Sequence, residues 1–510
     1  MELTGEKIQI NETVFDGFAE KTAECDYIVP DYYPDISKVV KTEAMPRIKS
    51  KMIMGDRLTI EGVVEFRIMY MPEKSAGLKC LIFTCDFSQT FDIRNMNNAY
   101  VKTAVKVENV NTRVLNPRKL SPRALLLIAV KVWSQRDCSV ITPRDYEDVE
   151  IKTKNLSVFS MIASAEKPLI ISDDLEFSSS MPAASSILKN DINIIVSDVK
   201  LINNKAITRG SAKIKTLYVT DDETSIETAE NEIPFTQIID IEGVNEDCSC
   251  DIKYEVSECA FVLKDNENGE GRIISADIEC TADVRAFKND IVQVVSDAYS
   301  INYDCRIDEK TIIFEKILSP INEDFSGKES IDLEETISLV ADMSLVPVIS
   351  SVSVEEGNIN FEGALEVSIL AFNSEKEAIS LNKSLPFKYA ASLKESFEDM
   401  RFEPDISVKS VSFTLVSDTR IDVRYELNIS SLVFSSQKET IADAISTDES
   451  SAKAKPNTAA VTLYFAKVGE SIWDIAKQYN TSQEAIKSAN GADYEVMPCD
   501  STLIIPKRKY

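Results

Sequence analysis

One strand pattern recurs three times along the chain of 510 residues. In each copy apolar and polar residues alternate, and a single glycine (Gly62, Gly210 or Gly363) interrupts the alternation. Alternation with a period of two is typical of a strand with one buried face, and a glycine inside such a strand marks a bulge or a sharp bend. The recurrence therefore predicts a domain duplication, with three copies of one β-rich domain.

Other landmarks follow each glycine at matched distances. A phenylalanine comes next in every copy (Phe87, Phe235 and Phe387), and an alternating strand then closes the copy. The copies are offset by about 150 residues, which is longer than the unit of a solenoid. Because few segments carry the apolar stripe of a helix, we predict a mainly β fold in which each copy is a β-sandwich or an open barrel.

The composition excludes several classes of function. The net charge of −28 repels phosphate backbones and anionic membrane surfaces, so the sequence predicts no nucleic-acid partner. Histidine is absent, which removes the commonest general base, the Ser–His and Cys–His nucleophile pairs and most zinc sites. The sequence also lacks a P-loop and a complete dinucleotide-binding glycine motif. We therefore predict a non-enzymatic protein with no catalytic residues, no metal site and no cofactor.

The expected compartment is reducing. The ten cysteines form no C-x-x-C pair, and we expect them to be reduced and mostly buried. The first residues lack the features of a signal peptide, and no apolar run reaches the ~18 residues of a transmembrane helix. These features predict a cytoplasmic protein without a transmembrane segment.

The repeat suggests where the domains begin and end. We place the three β-rich copies at residues 1–150, 151–320 and 321–445, and a small C-terminal module at residues 460–510. Residues 446–459 are small, polar and charged, with one proline, and such a segment buries too little apolar surface to order itself. The sequence therefore predicts a flexible linker that lets the C-terminal module search for a partner independently.

The C-terminal module has the predicted order strand, helix, helix, strand. Ser471 and Thr481 stand where helix N-caps are expected, each with an acidic residue three positions later. In the first helix Trp473 lies beside Lys477, about 100° around the axis from the preceding apolar residue. Trp473 either packs at the edge of the small core or forms a half-exposed aromatic anchor for a partner.

The run from Gly469 to Ser482 resembles the signature of the LysM family, and the resemblance continues to the end of the module. LysM modules are βααβ domains that usually bind N-acetylglucosamine polymers such as peptidoglycan, in a groove between two loops. The resemblance implies partner or glycan binding at Val468, Gly469, Glu470, Ser471, Trp473, Lys477, Met497, Pro498 and Cys499. Two of these depart from the family: Val468 replaces a proline, and Cys499 replaces a glycine and adds a side chain where a sugar would approach the backbone.

The glycine-centred strands, the Pro-Phe dipeptides at 234–235 and 386–387 and the segment 29–36 resemble SPOCS domains, formerly DUF3794. Three such domains followed by one LysM module resemble the SipL-type spore-coat morphogenetic proteins. This resemblance implies a mother-cell protein at the forespore surface and the spore coat. It also implies that the LysM module binds the coat-basement ATPase, stage IV sporulation protein A, and that the chain assembles with other coat proteins.

Two functions remain open from the sequence. The first is a scaffold, in which the SPOCS copies self-associate or recruit coat proteins while the LysM module tethers the complex to the coat basement. The second is a peptidoglycan-binding protein of the spore or cell envelope. A LysM-bearing hydrolase would need two facing carboxylates. The acids beside the repeat glycine are not kept between copies, since Glu61 and Glu362 correspond to Arg209.

Overall fold

The computed structural model describes residues 2–3, 6–73, 77–96, 98–144, 148–223, 225–395, 397–453 and 461–506. These residues form 23 strands and two short helices, and both helices lie in the C-terminal module. The predicted mainly β fold class is confirmed.

The first unit is a β-sandwich made of two antiparallel sheets. Its strands are β2 (Glu6–Glu24), β3 (Tyr27–Ile28), β4 (Ile36–Met54), β5 (Arg57–Pro72), β6 (Lys79–Asp92), β7 (Tyr100–Asn116) and β8 (Lys119–Val140), and they follow β1 (Glu2–Leu3), which pairs elsewhere. Sheet β4–β5–β6 packs against a second sheet in which β8 pairs with β2, β3 and β7. Their shared core contains Phe66 and Phe87 from the first sheet and Leu126 and Ile128 from the second.

The second and third units repeat this arrangement. The second has β9 (Val149–Glu176), β10 (Ala184–Ile202), β11 (Lys205–Thr220), β12 (Ile226–Asp240), β13 (Ser249–Asp265) and β14 (Gly271–Ser300). The third has β15 (Tyr303–Ile317), β16 (Ile321–Asp332), β17 (Leu339–Glu355), β18 (Asn358–Phe372), β19 (Ala378–Ser392), β20 (Met400–Ser417) and β21 (Arg420–Ala452). Sheets β10–β11–β12 and β17–β18–β19 correspond to β4–β5–β6. The other sheets form around β14 and β21, which take the place of β8.

The repeated glycine permits a close approach that is the same in every unit. A Cβ atom on Gly62 would lie 2.3 Å from the carbonyl oxygen of Arg47 and 2.6 Å from the ring of Phe87. Gly210 and Gly363 face a strand carbonyl and the repeated phenylalanine in the same way. The bulge that the glycine predicts is present, but it lies on the facing strand, where the register shifts between residues 48 and 50. Only glycine leaves room for that bulged backbone.

The three glycine-bearing sheets contact one another in a ring. Strand β6 contacts β10, β12 contacts β17, and β19 contacts β4. Apolar side chains from all three units form one cluster at this junction, among them Met69, Leu217 and Leu370. The three sheets of the ring therefore share one apolar core, and this core joins the three units.

Charged side chains from all three units meet at the same ring, and those of Lys189 and Asp342 are buried. The ammonium group of Lys189 forms ion pairs with Glu43 (3.3 Å), Asp191 (2.8 Å) and Asp342 (2.6 Å). Lys189 lies opposite Leu217 in its sheet, and Asp342 lies opposite Leu370. Leu217 and Leu370 each follow the repeated glycine by seven residues, so Lys189 and Asp342 occupy equivalent positions of their units. The third unit thus supplies an anion where the second supplies a cation. We call these four residues the ring network.

The outer strand pairs extend beyond the sandwiches as three two-stranded arms. The arms pair residues 6–13 with 133–140, 149–161 with 287–300, and 303–317 with 434–452. They pack on one another through a core that includes Ile10, Val158 and Ile312. Strand β1 adds to the third arm by pairing with β21. The three units are therefore joined a second time, away from the ring.

The prediction of a flexible linker at residues 446–459 is wrong for its first half. Strand β21 continues to Ala452, and Ser446 pairs with Arg306 of β15. A polar composition does not prevent this, because the ladder is made by backbone groups. Lys453 then donates hydrogen bonds to the carbonyl of Ser300 (2.9 Å) and to Asn480 Oδ1 (2.6 Å). Residues 454–460 lie outside the described part of the chain.

The cysteines are free thiols: four are buried, five are partly buried, and Cys499 is exposed. Burial raises the pKa of the Cys80 thiol to about 12 and that of Cys250 to about 11. Neither helix of the described residues is long and apolar enough to cross a membrane.

Candidate functional site

The C-terminal module has the βααβ order that the sequence predicts. Its elements are β22 (Thr462–Ala466), α1 (Ile472–Tyr479), α2 (Gln483–Asn490) and β23 (Ser501–Ile505). Ser471 caps α1 as predicted, since its side chain accepts a hydrogen bond from the Trp473 amide at 3.2 Å. The predicted cap at Thr481 is wrong. Ser482 is the N-cap of α2 and accepts from the Ala485 amide at 3.1 Å.

The two loops that the LysM resemblance singles out lie side by side. The amide of Gly469 donates to the carbonyl of Met497 (2.9 Å), and the amide of Met497 donates to the carbonyl of Glu470 (2.8 Å). Gly469 has a φ of +88°, a left-handed conformation that favours glycine. The Glu470 carboxylate accepts from the amide of Lys467 (3.0 Å) and the hydroxyl of Tyr464 (3.2 Å), which holds the first loop closed.

Four of the nine predicted site residues are open to solvent on this loop pair. They are Val468, Gly469, Pro498 and Cys499, and the Val468 side chain is 63% exposed. Met497 does not offer its side chain to a ligand, because it is 1% exposed and belongs to the core of the module.

Trp473 and Lys477 both contact the second unit, and the Lys477 side chain also remains 41% exposed. The Trp473 side chain is 2% exposed, and its Nε1 donates to Asp297 Oδ2 at 2.7 Å. Lys477 Nζ donates to both oxygens of the same carboxylate, at 2.7 and 2.8 Å. The indole also meets the ring of Tyr299 edge-on, with 4.9 Å between centroids. The prediction of a half-exposed Trp473 is therefore wrong. Trp473 packs at the edge of the module's core, where Tyr299 of the second unit covers it.

The sequence analysis missed an exposed apolar face on the module's two-stranded sheet. Leu463 and Ile504 are direct partners across β22 and β23, and both are exposed. Phe465 extends the same face and is 77% exposed. Alternation in β22 was the available signal, because only one face of a two-stranded sheet packs on the helices. We call Leu463, Phe465 and Ile504 the sheet face.

A second concave site lies where the three units meet. A cavity of about 240 Å³ is lined by Tyr100 of the first unit, Arg285 of the second and Glu403 of the third, among others. Arg285 pairs with Asp251 and, at 3.2 Å, with Glu403. These charges pair with one another and so hold the units together. Within the described ranges, no group of three or more Asp, Glu or Cys residues is placed to hold a metal ion.

Comparison with known families agrees with this architecture. The family model described as the SipL SPOCS domain matches residues 35–115 and 183–264, which run from β4 into β7 and from β10 into β13. The LysM domain model matches residues 466–506. No curated protein matches the chain. The matched SPOCS segments lie in the first two units, and the third unit has the same strand order. The chain therefore carries two segments that match the SipL SPOCS domain and a LysM domain, and in these domain types it matches a SipL-type protein.

Proposed function

We propose that this chain is a non-enzymatic scaffold for spore-coat assembly, acting in the mother-cell cytoplasm at the forespore surface. In this proposal the LysM module binds the coat-basement ATPase, stage IV sporulation protein A. The three β-sandwich units, with the third as a further SPOCS domain, support the assembly of other coat proteins. The matched domains are of binding and scaffold types and support a sporulation-related, LysM-bearing protein.

The sheet face is the observation that carries this proposal. Leu463, Phe465 and Ile504 present one aromatic and two aliphatic side chains on adjacent strands. Clustered apolar side chains at a surface mark protein interaction sites, and aromatic anchors dominate the energy of many interfaces. A sugar polymer also needs several closely placed hydrogen-bonding groups. The sheet face therefore favours a protein partner.

The loop pair supports the alternative, a peptidoglycan ligand. Val468, Gly469 and Pro498 are open to solvent, and Gly469 leaves its backbone uncovered. This is where the LysM resemblance places a glycan groove. Cys499 weighs against this alternative, because its side chain stands where the family leaves the backbone bare.

Binding assays with the full chain separate the two functions. Phe465→Glu places a charge on the sheet face, and we expect it to weaken binding to the purified ATPase by at least about tenfold, as for an interface anchor. Ile291→Glu is the matched control, since Ile291 is equally exposed (75%) but lies on an arm. The control should bind like the wild type, and circular dichroism should show both variants folded.

Sedimentation with purified peptidoglycan tests the alternative. Cys499→Trp enlarges an exposed side chain on the second loop, so a glycan-binding chain would lose its sedimentation in this variant while Phe465→Glu would keep it. The scaffold proposal fails if the chain sediments with peptidoglycan in this pattern and the ATPase binds neither the wild type nor the control.

A further inference from the structure

One segment of the second unit covers the helix face that carries Trp473. We call this segment, residues 297–301, the seat. Asp297 accepts three hydrogen bonds from the side chains of Trp473 and Lys477. Tyr299 packs edge-on against Trp473 and donates its hydroxyl to the carbonyl of Thr481 at 2.7 Å. The module and the seat therefore match in charge, in aromatic contact and in hydrogen bonding.

A β-bulge aims the seat at the module. The register of β14 against β9 shifts between Val295 and Asp297, and the hydroxyl of Ser296 donates to the carbonyl of Lys152 at 3.1 Å. Val294 and Val295 lie in two different buried clusters, so both faces of β14 are covered just before the register shifts. The extra residue turns Asp297 outward, and re-aiming a side chain is what bulges commonly do.

These contacts do not require the module and the seat to belong to one chain. The module carries an aromatic anchor and an ammonium group, and the seat carries a carboxylate and a phenol. This mixed composition is that of interfaces between separately folded proteins. Residues 454–460 are the covalent connection between the last arm and the module. Such a tether favours docking within the chain only through an effective concentration on the order of 1 mM.

We propose that the LysM module of one copy also docks on the seat of a second copy, so that chains associate by exchanging modules. The exchange uses the contacts already present within one chain, which makes it a low-cost route to association. Docking within the chain prevails in dilute solution, and exchange competes with it when copies are concentrated to about the effective concentration of the tether. This inference stands independently of the partner that binds the sheet face.

Two charge reversals in separate copies test the exchange. Asp297→Lys places a second positive charge beside Lys477 of its own chain. Lys477→Glu places a second negative charge beside Asp297 of its own chain. An equimolar mixture brings opposite charges together only between copies, because the module of the first variant meets the unaltered seat of the second. Sedimentation velocity should show each variant alone as a monomer and the mixture as a species of twice the mass.

Further variants confine the result to this interface. Tyr299→Phe in the copy with the intact seat removes one hydrogen bond, and we expect about threefold to tenfold weaker association of the mixture. Circular dichroism should show every variant folded, because Lys477 and Asp297 lie at the edge of the module's core. The inference is overturned if the mixture sediments as the sum of its components up to about 1 mM. It is equally overturned if single variants self-associate as strongly as the mixture.

Discussion

Lys189→Met removes the central cation of the ring network. The side chain of Lys189 is 2% exposed and that of Asp342 is 1% exposed, so this pair lies almost wholly out of water. After the substitution Asp342 keeps Lys215, whose Nζ donates to its Oδ1 at 2.7 Å, but loses the contact at 2.6 Å. Glu43 and Asp191 lose the same cation. Breaking a buried pair by removing one partner costs about 3–5 kcal/mol, and we expect a loss of this size in the free energy of unfolding.

The measurement is a urea titration of the full chain, followed by far-UV circular dichroism. Lys7→Met is the matched control, because Lys7 pairs with Asp137 at 3.1 Å on the surface, where its side chain is 75% exposed. Surface pairs are worth little, so the control should unfold at nearly the wild-type urea concentration. Equal midpoints for Lys189→Met and Lys7→Met would refute the argument that the ring network stabilises the assembled units.

The same network predicts a dependence on pH. Burial alone would raise the pKa of Asp342, but the ammonium groups of Lys189 and Lys215 outweigh it and hold this pKa well below its usual range. The folded pKa therefore lies below the unfolded value of about 3.9. The stabilisation from Asp342 is complete above the unfolded pKa and is lost as the pH falls below it. The difference in stability between wild type and Lys189→Met should therefore shrink below about pH 4, and a difference that grows there would contradict this sign.

Three further predictions concern single positions. Gly363→Ala should destabilise the fold by at least about 1–3 kcal/mol in a urea titration, since its Cβ would lie 2.0 Å from the Val348 carbonyl oxygen; an unchanged midpoint would contradict the close approach. Iodoacetamide at neutral pH should modify Cys499 before the buried Cys80, as read by peptide mass spectrometry, and the reverse order would show that Cys499 is covered. Ser482→Ala should lower the stability of α2 by about 1 kcal/mol in thermal unfolding, whereas the exposed Ser488→Ala should not, and equal effects would argue against the cap.

Much of the fold could be predicted because its signals are local. Gly62, Gly210 and Gly363 recur because each unit needs a residue without a side chain opposite the same bulge. The strand, helix, helix, strand order of the module follows from apolar spacing and from Ser471 as a cap. Both signals lie within one strand or one helix, where sequence spacing translates directly into geometry.

The environment of Trp473 could not be predicted in the same way. Its hydrogen-bond partner Asp297 lies 176 residues away in the sequence, and a bulge at that distant strand decides which way the carboxylate points. The strand formed by the polar residues 446–452 could not be predicted for a related reason. Whether they form a strand depends on the free edge offered by β15, and composition alone does not report such an edge. Contacts between units are set by topology, which the repeat pattern does not specify.

The length of β21 has a mechanical consequence. Its 33 residues would extend about 110 Å if straight, at roughly 3.3 Å per residue, and they run without interruption from the third sandwich to the approach of the LysM module. A force applied along β21 would act along the axes of its antiparallel neighbours β15, β16 and β20. Rupture then requires many interstrand hydrogen bonds to shear together instead of opening one after another. The third unit should therefore stretch little under such a force, and it would transmit the force to the sandwiches.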